Sequence, residues 1–174
     1  GATWDFFVKG MLLNHFRFPA IDIQNKALDP TEHPLIVIPT ARYMDEQLQK
    51  KLLAYVKTGG KLFLHGELPI MDMNGEECQI LIDELGLTYH SDMTDYQYFL
   101  SVKGTGKLAH RPEGRTPYVQ LFDAKSEHVL VQEKHSELGC GFQIPYGSGK
   151  VMAFTTNLTG KEDLIKELKN RVSP

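Results

Sequence analysis

Cysteine is scarce in this sequence: its 174 residues include only Cys78 and Cys140. Two cysteines cannot build the disulfide framework of a small secreted domain, so we expect a reducing or redox-indifferent environment and favour a cytoplasmic location. The sequence also lacks a run of about 18 apolar residues, which a membrane-spanning helix needs. We therefore expect no membrane partner.

Clusters of basic residues are missing as well. The 19 Lys+Arg and 22 Asp+Glu residues give a net charge of −3, and neither sign forms a long run. Proteins that bind nucleic acids without sequence preference need a basic stripe, so this class is excluded. The length fits one domain over 1–174, which we expect to be α/β with a β-rich extension at about 96–146.

Phosphate- and dinucleotide-binding motifs are incomplete. Gly147–Lys150 matches the end of a P-loop, but that motif also requires Gly at position 144 and Ser or Thr at position 151. The sequence has Ile144 and Val151 instead. Gly104–Gly106 lacks the third glycine of a dinucleotide fingerprint. Both segments are interpreted as turns, and no cofactor is predicted.

Metal-binding and nucleophilic motifs are also missing. The seven histidines are scattered, and neither HExxH nor CxxC occurs, so no metal site is predicted. Cys140 lies between Gly139 and Gly141, as in a nucleophile elbow, but the Phe142–Pro145 segment that follows cannot begin a helix. We predict no catalytic residue, and a stand-alone amidotransferase-like hydrolase using Cys140 or an unrecognised serine is the least favoured hypothesis.

The segment 33–69 carries a clear βαβ pattern. The unbroken apolar run 35–39 predicts a strand buried on both faces. Acidic residues at 45–46 mark the first turn of a helix whose apolar residues recur on one face. The glycines at 59–60 end that helix, and the run 61–65 predicts a second buried strand.

Helical and extended patterns alternate up to about residue 90 and then give way to short strands and turns. The first part predicts helices at 3–12 and 76–85 and a strand at 20–23, as in a mainly parallel sheet. The second part predicts antiparallel strands, the last of which returns to the main sheet, and a final helix with a capping box at Thr159–Glu162. The candidate strands are Tyr96–Val102, Tyr118–Phe122, Val129–Glu133, Cys140–Ile144 and Val151–Thr155.

His65 and Glu67 are the candidate ligand-binding residues. Both lie near the carboxyl end of the second predicted strand, and open α/β sheets bind ligands in the crevice beyond such ends. A carboxylate there accepts hydrogen bonds from a sugar or caps a helix. Glycoside hydrolysis needs two facing carboxylates, and nothing in the sequence places Asp72, the nearest other acid, opposite Glu67. A structural or interface role for Glu67 is the stronger expectation.

Several motifs together resemble one family. They are Pro34–Pro39, Tyr43, Leu53, Tyr55–Val56, Gly59–Leu62, Gly66–Pro69, Asn74–Cys78, Leu85–Leu87 and the closing Tyr146–Val151. These motifs are similar to the middle domain of bacterial β-galactosidases in glycoside hydrolase families 35 and 42. That domain resembles a class I glutamine amidotransferase in fold and lacks its catalytic cysteine.

The resemblance implies a fold, a role and partners. The fold is a three-layer, flavodoxin-like or class I glutamine amidotransferase-like α/β sandwich, with a mainly parallel sheet and an antiparallel strand extension. The role is that of a non-catalytic structural or oligomerisation domain, in a larger protein whose separate barrel hydrolyses glycosides. The implied partners are that catalytic barrel and further copies in a homo-oligomer. A carbohydrate- or small-molecule-binding crevice near Glu67 is the alternative.

Overall fold

The computed structural model describes residues 23, 25–93, 99–104, 119–156, 166 and 168. Its elements in chain order are β1 Leu35–Thr40, α1 Glu46–Lys57, β2 Lys61–Gly66, α2 Ile80–Glu84, β3 Thr88–Met93, β4 Leu100–Val102, β5 Val119–Asp123, a 3₁₀ helix Ser126–His128, β6 Val129–Glu133, β7 Gly139–Tyr146 and β8 Gly149–Phe154. Within these residues, no helix is long and apolar enough to cross a membrane.

The predicted βαβ unit is confirmed, since β1 and β2 pair in parallel on either side of α1. The Asp45 carboxylate accepts a hydrogen bond from the backbone N–H of Gln47 at 2.6 Å, which caps the first turn of α1. After α1, Gly59 has a φ of 121°, and a Cβ atom on Gly60 would lie 2.4 Å from the Tyr55 ring. Both positions therefore favour glycine, which ends the helix and turns the chain into β2.

The strands form one eight-stranded mixed sheet. Its order is β1-β2-β8-β7-β5-β3, and β6 pairs with both β4 and β7. As predicted, β8 returns to lie parallel to β2. The described pairs comprise two parallel and five antiparallel ones. The prediction of a mainly parallel sheet is wrong, because the antiparallel strands belong to the main sheet and their pairs outnumber the parallel ones.

The predicted β-rich extension forms part of that same sheet. β5, β6, β7 and β8 match the candidate strands closely. β4 covers only the end of the strand predicted at 96–102, whose first residues lie outside the described ones. β3 was not predicted, because its sequence is largely polar and its extended conformation depends on pairing with β5.

The helix predicted at 76–85 is shorter than expected, since α2 begins only at Ile80. The Asp72 carboxylate accepts hydrogen bonds from the backbone N–H groups of Asn74 and Glu76, at 2.8 and 2.9 Å. These bonds fold the preceding residues into a tight turn, which competes with helix formation.

Cys78 lies before α2, within the span predicted to be helical, and is half-buried. The N-cap residue of α2 makes no capping hydrogen bond with its side chain, and Gln49 of α1 caps the helix instead. This glutamine is fully buried, and its Oε1 accepts a hydrogen bond from the N–H of Leu81 at 3.0 Å. Its Nε2 donates to the carbonyl of Met44 at 2.9 Å. The start of α2 is therefore set by a tertiary contact.

Apolar side chains cover both faces of the sheet, since neighbouring residues of a strand point to opposite faces. The face that carries α1 and α2 includes Leu62, Leu64, Val151 and Ala153. The other face includes Phe63, Met152, Phe154 and Leu168. Leu168 is helical and fully buried, as the predicted final helix requires. The described helices α1 and α2 lie on one face, so the three-layer flavodoxin-like arrangement stays a prediction.

Other predicted elements lie outside the described residues. These are the helix at 3–12, the capping box at 159–162 and most of the strand at 20–23, of which Ile23 lies in a turn. The assignment of a single domain to 1–174 also stays a prediction.

Candidate functional site

The carboxyl ends of the parallel strands β1, β2 and β8 meet at one edge of the sheet. Arg42 follows β1, and Glu67 follows β2. Gly66 brings these two segments together, because its φ is 122° and a Cβ atom there would lie 2.3 Å from the backbone oxygen of Thr40. The approach of the loop after β2 to β1 therefore requires glycine.

Arg42 connects this edge to the antiparallel part of the sheet. Its Nε donates a hydrogen bond to Oε2 of Glu67 at 2.6 Å, and its Nη2 donates to Oδ2 of Asp92, in β3, at 2.6 Å. The side chains of Arg42, Glu67 and Asp92 keep 30%, 29% and 26% of their surface exposed. We call these three residues the Arg42 cluster; it is partly buried, and solvent still reaches it.

Hydrogen bonding to two carboxylates favours the charged form of Arg42. The bonds to Asp92 and then to Glu67 raise the pKa of Arg42 above its ordinary value. Tyr89, on the same strand as Asp92, has a pKa raised by burial and by the nearby Asp92 carboxylate. The observed hydrogen bonds of the cluster are those from Arg42, which joins Glu67 to Asp92.

A buried glutamine holds the loop that carries Glu67. Oε1 of Gln120, in β5, accepts a hydrogen bond from the N–H of Leu68 at 2.7 Å, and its Nε2 donates to the Leu68 carbonyl at 3.1 Å. The hydroxyl of Thr155, directly after β8, donates to the Gln120 carbonyl at 2.6 Å. The loop after β2 is thereby attached to two other strands.

The structure places the residues singled out in the sequence at different positions. Glu67 lies at the predicted edge, within the Arg42 cluster. His65 is half-buried in β2, on the face that carries Phe63. Asp72 is engaged in the turn before α2, so Asp92 is the acid that shares a partner with Glu67.

Cys140 is fully buried. Burial, and then the charge of Glu133, raises the pKa of its thiol. A neutral, inaccessible thiol is a poor nucleophile, which argues against the hydrolase hypothesis. In the described part of the chain, no group of three or more His, Cys, Asp or Glu side chains could hold a metal ion. The Arg42 cluster offers hydrogen-bond donors and acceptors.

Sequence analysis missed four residues of this region. Arg42 carried a signal, because it follows a predicted strand as Glu67 does. Gln120 also carried one, as a polar residue within an apolar strand. Tyr89 and Asp92 belong to the unpredicted strand β3, and nothing in the sequence places them beside Arg42.

Two curated proteins are similar to this chain. A β-1,2-glucosyltransferase from Ignavibacterium album is 26% identical over 160 residues, which cover 90% of this chain and 21% of that protein. An exo-β-D-glucosaminidase from Pyrococcus horikoshii is 30% identical over 150 residues, which cover 79% of this chain and 19% of that protein. The chain thus spans about a fifth of the length of the curated relatives it matches.

A solved GH42 β-galactosidase from G. stearothermophilus shares the fold. The TM-score is 0.60 at 16% identity, and the match covers 79% of this chain and 21% of that one. The resemblance to a β-galactosidase domain, predicted from the sequence, is confirmed. The family model for the second domain of GLMA-like proteins matches residues 4–115. This chain belongs to the GLMA-like second-domain family.

Proposed function

We propose that this chain is a non-catalytic structural domain of a β-galactosidase-type glycoside hydrolase, which packs against the catalytic barrel and supports a homo-oligomer. The observation that carries the proposal is the position of Arg42 between Glu67 and Asp92. A glycosidase needs two carboxyl groups that face the substrate. Here one guanidinium engages both carboxylates at the edge where ligands of α/β sheets bind.

The comparisons support an accessory role. Both curated relatives are named for reactions on glycosides, and this chain matches only about a fifth of each. We infer that the reaction of the parent protein takes place in another part of its chain.

Two exposed apolar side chains suit an interface at the same edge. Tyr43, directly after Arg42, is 48% exposed, and Met73 is 69% exposed. Tyr43 and Met71 form an isolated parallel β-bridge through their backbones. This pairing brings the turn that carries Met73 close to the Arg42 cluster. Aromatic residues and methionine are enriched at the centres of interfaces. We propose that this edge contacts the barrel or a neighbouring subunit.

Two measurements on the purified chain test this function. We expect no hydrolysis of aryl β-galactosides or aryl β-glucosaminides above the buffer rate. Turnover that Glu67→Gln abolishes would overturn the non-catalytic role. Light scattering with size exclusion, over about a hundredfold concentration range, should show a mass that rises with concentration. A monomer at every concentration would contradict self-association.

A carbohydrate-binding crevice at Glu67 and His65 is the second candidate. The partial exposure of the Arg42 cluster and the neighbouring Tyr89 favour it, because sugars bind through such donors and acceptors. A ligand that binds only the folded state raises the melting temperature. Galactose or glucosamine should then raise Tm in the wild type but not in Glu67→Gln or His65→Ala. Equal shifts in all three would exclude this site.

A further inference from the structure

Two lysines lie side by side at the amino-terminal end of the parallel strands. Lys61 begins β2, Lys150 is the second residue of β8, and the strand register pairs them directly. Residues paired in this way point to the same face of a sheet, and neighbouring strands are about 4.8 Å apart. Both side chains are half-buried. Two positive charges are therefore held close together; we call them the lysine pair.

The lysine pair has no acidic partner among the described residues, whose ion pairs involve Arg42, Lys50 and His128 instead. Burial, and then the charge of Lys61, lowers the pKa of Lys150. Like charges directly opposite each other destabilise a sheet. The chain thus carries an electrostatic cost that nothing in its described part compensates.

The surroundings of the lysine pair resemble a contact surface. Leu35 of β1 is in register with Lys61 and half-buried, and Pro145 of β7 is in register with Lys150 and exposed. Cations and partly exposed apolar groups lie together there, and a partner surface would cover both.

We propose that the lysine pair receives a carboxylate from the catalytic part of the parent protein, so that this face of the sheet is a docking surface. This inference rests on the proposed function. Charge complementarity supports it, because one carboxylate accepts hydrogen bonds from both ammonium groups. About four-fifths of the length of each curated relative lies outside the segment that matches this chain. We infer that the corresponding part of the parent protein supplies the partner surface.

A second copy of this chain is a poorer occupant. A symmetric contact brings the same patch of both subunits together, and lysine pair would then face lysine pair. A homo-oligomer therefore requires a different surface, such as the edge that carries Tyr43.

The test measures one substitution in two contexts. In the 174-residue chain, Lys150→Met removes the repulsion while keeping an apolar stem, so Tm should rise by about 1–3 °C. In the full parent protein, the same substitution removes one of the two ammonium groups that bind the partner carboxylate, so the Tm of this domain should fall by a similar amount or more. Lys150→Arg should restore the parent's Tm. The matched control is exposed Lys125→Met, which should act equally in both contexts.

The sign of the shift decides the outcome. If Lys150→Met shifts Tm in the same direction in the 174-residue chain and in the parent protein, the docking surface is overturned. If Lys150→Met does not fold, Lys61→Met is measured in its place. Inorganic phosphate at about 10 mM probes a free anion as occupant. A rise in Tm of the wild-type chain that Lys150→Met abolishes would also overturn the proposal. Neither result bears on the proposed function, which the activity and light-scattering measurements test separately.

Discussion

Gln120 makes both backbone hydrogen bonds of Leu68, a residue 52 positions earlier in the chain. Its amide accepts from the N–H of Leu68 and donates to its carbonyl. Leu68 directly follows Glu67, so the position of the Arg42 cluster depends on a strand from the antiparallel half of the sheet. The parallel and antiparallel parts of the sheet are therefore joined at this edge by side-chain hydrogen bonds as well as by strand pairing.

Gln120→Leu should therefore destabilise the fold. The variant leaves two buried backbone groups without partners, at about 1–3 kcal/mol each, so we expect the free energy of unfolding to fall by about 2–6 kcal/mol. Urea denaturation measures this loss. The control is Gln47→Leu, at an exposed position of α1, which should change stability by less than about 0.5 kcal/mol. Equal effects of the two variants would contradict the role of Gln120.

Arg42→Met should destabilise the edge of the sheet by leaving Glu67 and Asp92 without their shared cation. Because about 30% of the Arg42 side chain is exposed, we expect a loss of only about 1–3 kcal/mol, between the values for exposed and buried pairs. The loss should be smaller in 1 M NaCl than at low salt.

The matched control for Arg42 is Lys50→Met. Its ion pair with Glu46 is more than half exposed, and its removal should cost less than about 0.5 kcal/mol. Adding Glu67→Gln and Asp92→Asn to Arg42→Met should recover part of the lost stability, because no charge is then left unpaired. A triple variant less stable than Arg42→Met would contradict the electrostatic explanation.

Glu133 should make stability depend on pH. Its carboxylate accepts backbone hydrogen bonds from Ser136 at 2.9 Å, His135 at 3.1 Å and Phe99 at 3.4 Å. Burial acts to raise its pKa, but these bonds outweigh burial and the pKa is lowered. A lowered pKa favours the charged form in the folded state. The stability that Glu133 contributes is therefore fully present above the ordinary glutamate pKa of about 4.3. It is lost as the pH falls through the lower pKa that Glu133 has in the folded state.

Glu133→Gln should cost about 1.5–3 kcal/mol at pH 7, since hydrogen bonds to a charged group are lost. The difference from the wild type should narrow below about pH 4, because the Glu133 carboxylate becomes protonated and then is neutral like the glutamine. Urea denaturation at pH 7, 5 and 3.5 measures this trend. Glu32→Gln, at an exposed position, is the control and should show no such trend. A constant difference across this range would show that Glu133 acts through its shape and not its charge.

Gly66→Ala should be the most damaging single-methyl change at this edge. A Cβ atom there would lie 2.3 Å from the backbone oxygen of Thr40, and φ is 122°. We expect a loss of about 3 kcal/mol or more, or failure to fold. Gly75→Ala, where φ is 80° and the space is open, should cost only about 1–2 kcal/mol. Expression yield and thermal melting distinguish the two variants.

The two cysteines should react differently with a thiol reagent. Cys78 is half-buried and Cys140 is fully buried, with a pKa raised by burial. Mass spectrometry after iodoacetamide treatment should show modification at Cys78 in the native protein and at both cysteines in urea. Rapid native modification of Cys140 would revive the hydrolase hypothesis.

Local sequence was sufficient for the elements whose signals lie within a few residues. The apolar run of β1, the capping Asp45 and the glycines after α1 determine a strand, a helix and a sharp turn without distant contacts. The same holds for the turn at Gly147 between β7 and β8. The edge that carries Glu67 was likewise predictable from strand direction.

Only the tertiary structure decided the rest, because it depends on groups far apart in the chain. Arg42 and Asp92 are 50 positions apart, and β3 is extended through its pairing with β5. The mixed character of the sheet follows from strand order, which periodicity within a strand does not encode. The sequence thus determined the local elements and the position of Glu67, whereas packing determined that this carboxylate lies against an arginine.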